Sequence, residues 1–293
     1  MQQPDPGSLF HMEYDGLQRR YRLYLPAGGT YHGDLPLLIA LHGGGGTGKR
    51  MVDLTRGAFN SLAEAEQFIV AYPDAYKRHW NDGRTGLPPK YRAHRQNIDD
   101  VGFISALIDT LVRTHRADPR RVYVTGMSNG ALMSHRLAME LGHKIAAAAP
   151  VCGNIPVNLR VEPQVPVALI LINGTEDPLV PYEGGHVHFL KRKLGEVLST
   201  ERSLDYWVRH NSVNPAPVEQ WLADLDPADG CRVKSTRFGK PSDPGEVVLL
   251  DIEGGGHTWA GGWQYLNKRW IGRTCRDINA CRVIWDFFKV HAR

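Results

Sequence analysis

The sequence predicts an α/β fold: a mostly parallel central sheet with helices on both faces. Three observations carry that expectation. The runs Leu35 to Leu41, Ile145 to Val151 and Val165 to Ile172 are apolar almost throughout, as strands covered on both faces must be. Stretches with helical spacing alternate with them, which favours parallel connections. Glycine clusters follow several of these strands, at Gly43 to Gly46, around Gly126 and Gly130, and at Gly254 to Gly256.

Taken in order, Tyr21 to Leu25 reads as an early strand followed by a turn at Gly28-Gly29. Leu37 to Leu41 is a buried strand entering the first glycine run. Leu54 to Gln67 has helical spacing, and Phe68 to Tyr72 is a short strand stopped by Pro73. From His79 to Arg95 the chain is rich in Gly, Pro and basic residues, which predicts a long loop over one end of the sheet. Asp99 or Asp100 caps the next helix, whose Val101, Ile104, Leu107, Ile108 and Leu111 recur at helical spacing. Arg121 to Thr125 forms a strand and Ala131 onward a helix. Ala146 to Val151 and Val167 to Ile172 are further strands, Ser203 to His210 a helix, and Val247 to Ile252 the last clear core strand. Asp277 or Asn279 caps a C-terminal helix carrying Val283, Ile284, Phe287 and Phe288.

At 293 residues, 42% hydrophobic and 23% charged, the chain can bury a substantial core. No repeat or linker interrupts it, so residues 1–293 are expected to form one α/β domain, with 1–12 a loosely ordered tail. The net charge is only +4 and no long basic run occurs, so neither nucleic acid nor a membrane surface is an expected partner. No apolar run approaches the roughly 18 residues that a membrane span needs. Met1 to Ser8 lacks the charged and apolar regions of a signal peptide. The four cysteines show no metal-ligand spacing. Cys152 reads as a buried thiol, and Cys275 and Cys281 are near enough in sequence for a local disulfide.

Arg121 to Met133 is the most informative stretch: a β-branched strand, then Gly126-x-Ser128-x-Gly130, then an amphipathic helix. That context makes the motif a nucleophile elbow, a turn too tight for side chains on the neighbours of the serine. A serine hydroxyl needs a base to take its proton, and the base needs an acid to hold its tautomer. After the strand Val167 to Ile172, Glu176 or Asp177 can be that acid; Asp177 is favoured because Pro178 stiffens the turn behind it. Of 13 histidines, His257 is the candidate base, since three glycines before it give a loop freedom to reach across the sheet edge. His186 and His188 read as a surface pair. Oxyanion donors are expected from the backbone N–H of Asn129 and of Gly43 or Gly44. Trp80, Tyr182, Trp259 and Trp263 are candidate substrate-binding residues on loops near that edge.

The first glycine run also contains a decoy. Gly43-x-x-x-x-Gly48-Lys49 follows a strand and matches most of a phosphate-binding loop, but Arg50 stands where Ser or Thr would hold magnesium. A P-loop NTPase is therefore a distant alternative.

Together, Leu37 to Gly44, Tyr72-Pro73-Asp74, Trp80-Asn81-Asp82, Asn97 to Phe103, the elbow, Gly174 to Tyr182, Gly255 to Trp259 and Asp277 to Phe288 resemble the secreted polyhydroxybutyrate depolymerase and feruloyl/acetylxylan esterase group of α/β-hydrolases. The resemblance runs from about Tyr21 onward. It implies a Ser128, Asp177, His257 triad, no cofactor and no metal, and a small-molecule or polymeric ester as substrate. It also implies a secreted or periplasmic location, although the N-terminus shows no leader. The expected function is a serine carboxylesterase acting through an acyl-enzyme on feruloyl-type or hydroxyalkanoate-type esters. An acyltransferase with the same triad, a general short-chain esterase and a non-catalytic binding protein are the alternatives.

Overall fold

The computed structural model describes residues 5–27, 33–190, 192–214 and 216–293; the turn expected at Gly28-Gly29 lies outside them. The chain opens with β1 (Ser8–Tyr14) and β2 (Leu17–Tyr24), an antiparallel hairpin, followed by β3 (Leu35–Leu41). Next come α1 (Gly48–Leu54), α2 (Ala58–Glu66), β4 (Ile69–Pro73), a short helical turn α3 (Arg92–Arg95) and α4 (Asp100–His115). Then follow β5 (Ala117–Met127), α5 (Asn129–Glu140), β6 (Ala147–Val151), β7 (Ala168–Gly174), and the hairpin β8 (Gly185–Phe189) and β9 (Arg192–Val197). The chain ends with α6 (Thr200–His210), β10 (Val218–Trp221), β11 (Arg232–Phe238), β12 (Val247–Glu253), α7 (Lys268–Ile271) and α8 (Ala280–Phe288).

Ten strands form one sheet in the order β1-β2-β4-β3-β5-β6-β7-β12-β11-β10. The six inner strands, β4 to β12 in that order, are parallel; both flanks are antiparallel. Period-two alternation sorts the buried residues onto the two faces. Leu38 and Ala40 of β3 join the core beneath α1, α2 and α8, while Leu37, Ile39 and Leu41 join the core beneath α4, α5 and α6. On the first face Trp285 of α8 stacks on Phe68 at 3.6 Å and packs edge-on to Tyr123 of β5.

Several expectations change. From Ser8 the chain is a strand, with Phe10 stacked on Tyr21, so residues 8–12 are not the loose tail expected there. The helix expected from Leu54 is two helices, broken where Arg56 and Gly57 take positive φ. Asp99 is the cap of α4 through Gly102 N, and Asn279 caps α8; Asp277 instead accepts the N–H groups of Leu225 and Asp226. The four cysteines are free thiols. Cys275 meets Cys231, their sulfurs within 4.8 Å, while Cys281 is buried in α8 against Trp259. Among the described residues no helix is long and apolar enough to cross a membrane.

Candidate active site

Because the inner strands are parallel, their C-terminal ends share one edge, and every sequence-predicted catalytic residue leaves the sheet there. His42 to Gly46 follow β3, Ser128 follows β5, Asp177 follows β7 and His257 follows β12. Ser128 has φ +57° and ψ −121°, a strained conformation that presents its side chain off the strand end. The two glycines of the elbow are sterically required. A Cβ on Gly126 would lie 2.5 Å from Gly130 O, and one on Gly130 would lie 2.6 Å from Leu41 O. Ser128 N donates to Val151 O at 2.9 Å, which ties the elbow to β6.

Asp177 and His257 are brought together, and both are buried. Asp177 Oδ2 lies 2.6 Å from His257 Nδ1, while its Oδ1 accepts Leu179 N at 2.8 Å and Val180 N at 2.9 Å. The carboxylate is therefore fixed from both sides and sets the imidazole tautomer with hydrogen on Nδ1. Among the described residues neither His257 Nε2 nor Ser128 Oγ takes a hydrogen bond. Glu176 is exposed and serves only through its backbone, whose N–H donates to Gly255 O.

The glycines before His257 do not act as a flexible tether. Gly256 N donates to Arg273 O, His257 N to Ile271 O, and Tyr265 Oη to His257 O. A Cβ on Gly256 would stand 2.2 Å from Ile271 O; small size, rather than freedom, is what this position needs. Cys152, after β6, donates its thiol to Thr258 O at 3.1 Å beneath the same loop. Burial, with the Asp177 charge adding to it, keeps that thiol un-ionised.

Gly43 lies against Ser128, 3.5 Å from its Cβ to a Cβ built on the glycine, and Gly44 lies beside Asn129. The N–H groups of Gly43 and Gly44 take no acceptor among the described residues, whereas Gly45 N and Gly46 N are used by Arg78 O and Gly43 O. Asn129 begins α5, where the first N–H groups have no intrahelical acceptor. Three N–H groups without an acceptor among the described residues thus lie in the elbow and in the loop packed against it. His42 is buried under this loop; its Nδ1–H donates to Gly43 O at 2.7 Å and its Nε2 accepts Ala75 N–H at 3.0 Å. Burial depresses its pKa to about 4.

Residues 19–157 match the model of the family described as esterase PHB depolymerase. A putative esterase, NocK, from Nocardia uniformis subsp. tsuyamanensis is 29% identical, the match covering 93% of this chain and 79% of that protein. Feruloyl esterase B of Piromyces equi is 25% identical over 85% of this chain, but the chain spans only 45% of that longer protein. The acetyl xylan esterase of Aspergillus awamori superposes with a TM-score of 0.61 at 16% identity, covering 97% of this chain and all of that one (100%). The fold is that of the α/β-hydrolases, and the proteins this chain is similar to are esterases by name.

Of the aromatic residues expected to line the α/β-hydrolase cleft, two are elsewhere. Trp80 is fully buried: its Nε1–H donates to His42 O at 2.9 Å and its ring packs on His42 at 5.2 Å. Trp259 is buried in the core beneath α1 and α2, edge-on to Phe59. Both are loop residues in sequence, yet the loops fold inward and their rings fill the protein. Tyr182 is half-buried with its hydroxyl bonded to Asp251 Oδ1, and Trp263 is exposed. The phosphate-loop decoy dissolves: Lys49 pairs with Asp53 within α1.

A group the sequence did not disclose supports the elbow. The Asn129 carboxamide accepts Trp80 N–H at 2.8 Å and donates to Trp80 O at 3.0 Å and Asp82 Oδ2 at 2.6 Å. Asp82 is wholly buried and also meets Arg84 at 2.7 Å and His94 at 2.9 Å. Burial alone would raise its pKa, but these neighbours outweigh that and hold the carboxyl well below its ordinary range. A second buried pair, Arg19 with Asp100, fixes Asn81 N–H through Asp100 Oδ2. The sequence signal at this place is Trp80-Asn81-Asp82, which carries part of the resemblance, but no role is expected of Asp82 from it.

Proposed function

We propose that the chain is a serine carboxylesterase in which Ser128, His257 and Asp177 form the catalytic triad. The observation that carries this reading is the 2.6 Å Asp177–His257 pair, held on the same sheet edge as the Ser128 elbow. Ser128 Oγ attacks the ester carbonyl as His257 Nε2 takes its proton, and the alkoxide oxygen of the intermediate is held by Asn129 N–H with Gly43 or Gly44 N–H. Asp177 stabilises the imidazolium. His257 then protonates the departing alcohol, and water releases the acyl group by the same route. Residues 1–293 act as one catalytic domain; the ten-stranded sheet that runs from β1 to β10 favours this.

The substrates proposed are feruloyl-type or hydroxyalkanoate-type esters, after the names borne by relatives. With Trp80 and Trp259 buried, the aromatic wall that would favour a feruloyl group shrinks to Tyr182 and Trp263. Hydrolysis of methyl ferulate, a soluble 3-hydroxybutyrate oligomer and p-nitrophenyl butyrate tests the reading. Turnover of at least one, abolished in Ser128→Ala, is expected; activity surviving in that variant would refute it.

A further inference from the structure

A basic segment lies between Asp74 and Asp99, beside the candidate site. Between residues 75 and 98 stand Lys77, Arg78, Arg84, Lys90, Arg92 and Arg95 against a single acid, Asp82, a net +5 where the whole chain carries +4. Everything else therefore sums to −1. Arg84 is neutralised by buried Asp82. The other five are exposed, and among the described residues none lies within ion-pair distance of a carboxylate. Elsewhere Arg282 and Lys289 pair with Glu66, Lys144 with Asp109, and Lys234 with Glu219, whereas Arg113, Arg202 and Arg269 are exposed and, among the described residues, likewise have no carboxylate within ion-pair distance.

One of the unpaired cations, Arg78, stands at the oxyanion loop together with Arg50, and Lys90 lies two rings away from it. Arg78 Nε donates to Gly46 O at 3.3 Å, and the Arg78 carbonyl accepts Gly45 N–H at 2.8 Å. Arg50, exposed and also without a carboxylate, donates Nη1 to Gly45 O at 3.3 Å. On the other side of Gly44 stands the His79 ring, with Tyr91 edge-on to it at 4.4 Å and Lys90 Nζ 5.4 Å from the Tyr91 centroid. Each guanidinium spends one N–H on the loop and keeps the rest of its fork for an anion, which suits a carboxylate.

We propose that Arg50, Arg78 and Lys90 form an anion-recognising rim that selects esters bearing a carboxylate in their acyl or alcohol part. This deepens the esterase reading and rests on it. A carboxylate within one residue's reach of the scissile ester would meet these charges at the mouth of the site, where exposed charges steer binding and are screened by salt.

The test compares matched pairs. 4-Acetoxybenzoate against 4-acetoxybenzamide places the charge on the leaving phenol; mono-4-nitrophenyl adipate against 4-nitrophenyl hexanoate places it on the acyl group, with a chain too long for rapid closure to the anhydride. Each kcat/KM is divided by the hydroxide-catalysed rate of the same ester. The expected result is a roughly tenfold advantage for the anionic member of at least one pair at low salt. That advantage should fall toward unity in ~0.5 M NaCl and in the double variant R78Q/K90Q. The ratio is taken within each protein, so a general loss of activity in the variant cancels. Neutral esters equal or superior in both pairs would overturn the rim, as would an advantage that survives both salt and the variant. Absence of turnover of all four esters would instead overturn the esterase reading, and the rim with it.

Discussion

Lowering the pH from about 7 to about 5 should destabilise the fold through two buried, neutral histidines. His42 is held by Gly43 O and Ala75 N–H, and His135 by Trp207 Nε1–H at 3.0 Å and Gly153 O at 3.3 Å. In each ring one nitrogen already donates and the other already accepts an N–H, so a second proton would face a donor. Burial depresses both pKa values from 6.5 to about 4. Between those values the unfolded chain binds protons that the folded chain does not, so stability falls as pH falls and the loss levels off below about pH 4. The shifts correspond to about 2 kcal/mol per histidine between pH 7 and 5, or about 4 kcal/mol for the pair, as an upper bound. Burial lowers His291 in the same sense. Urea denaturation at a series of pH values measures the slope, and His135→Gln should remove about half of this contribution. A slope identical in the variant, or stability rising toward pH 5, would refute the reasoning.

Other consequences follow from the site. Asp82→Asn should cost about 3–5 kcal/mol, because Arg84 would remain buried with its counter-charge gone; a denaturation midpoint unchanged from wild type would contradict this. Asp177→Asn should lower kcat by about 10⁴ while the far-UV spectrum is retained, since the imidazole loses its orienting acceptor. Treating the protein with oxidised glutathione should join Cys231 to Cys275 through thiol–disulfide exchange, raising stability by about 4 kcal/mol for a loop of some 45 residues. Peptide mapping that instead finds a Cys275–Cys281 link would show that the sulfur proximity in the fold does not govern pairing.

The parallel centre of the sheet was legible because strands such as β3 and β7 are apolar on both faces, and nothing else in the chain looks like them. The elbow was legible because its glycines are sterically required and its flanks switch from period two to helical spacing. The flanking strands were not: β1, with exposed and half-buried residues alternating, and the wholly exposed β10 carry too little apolar signal. Burial of loop aromatics was equally hidden. Trp80 reads as a surface ring until His42 O is seen to accept its Nε1–H, a partner 38 positions away. Asp82, Arg84 and His94 lie in a segment without periodicity, so only the folded loop reveals that Arg84 and His94 converge on Asp82, and Asp82 on Asn129.

The central claim is that Ser128 is a nucleophile activated by His257. Incubation with a fluorophosphonate probe followed by peptide mass spectrometry tests it most directly. The account predicts one stoichiometric adduct on the peptide containing Ser128, none in Ser128→Ala, and labelling slowed by orders of magnitude in His257→Ala. Absence of an adduct on the folded protein, or labelling whose rate is indifferent to His257, would contradict it.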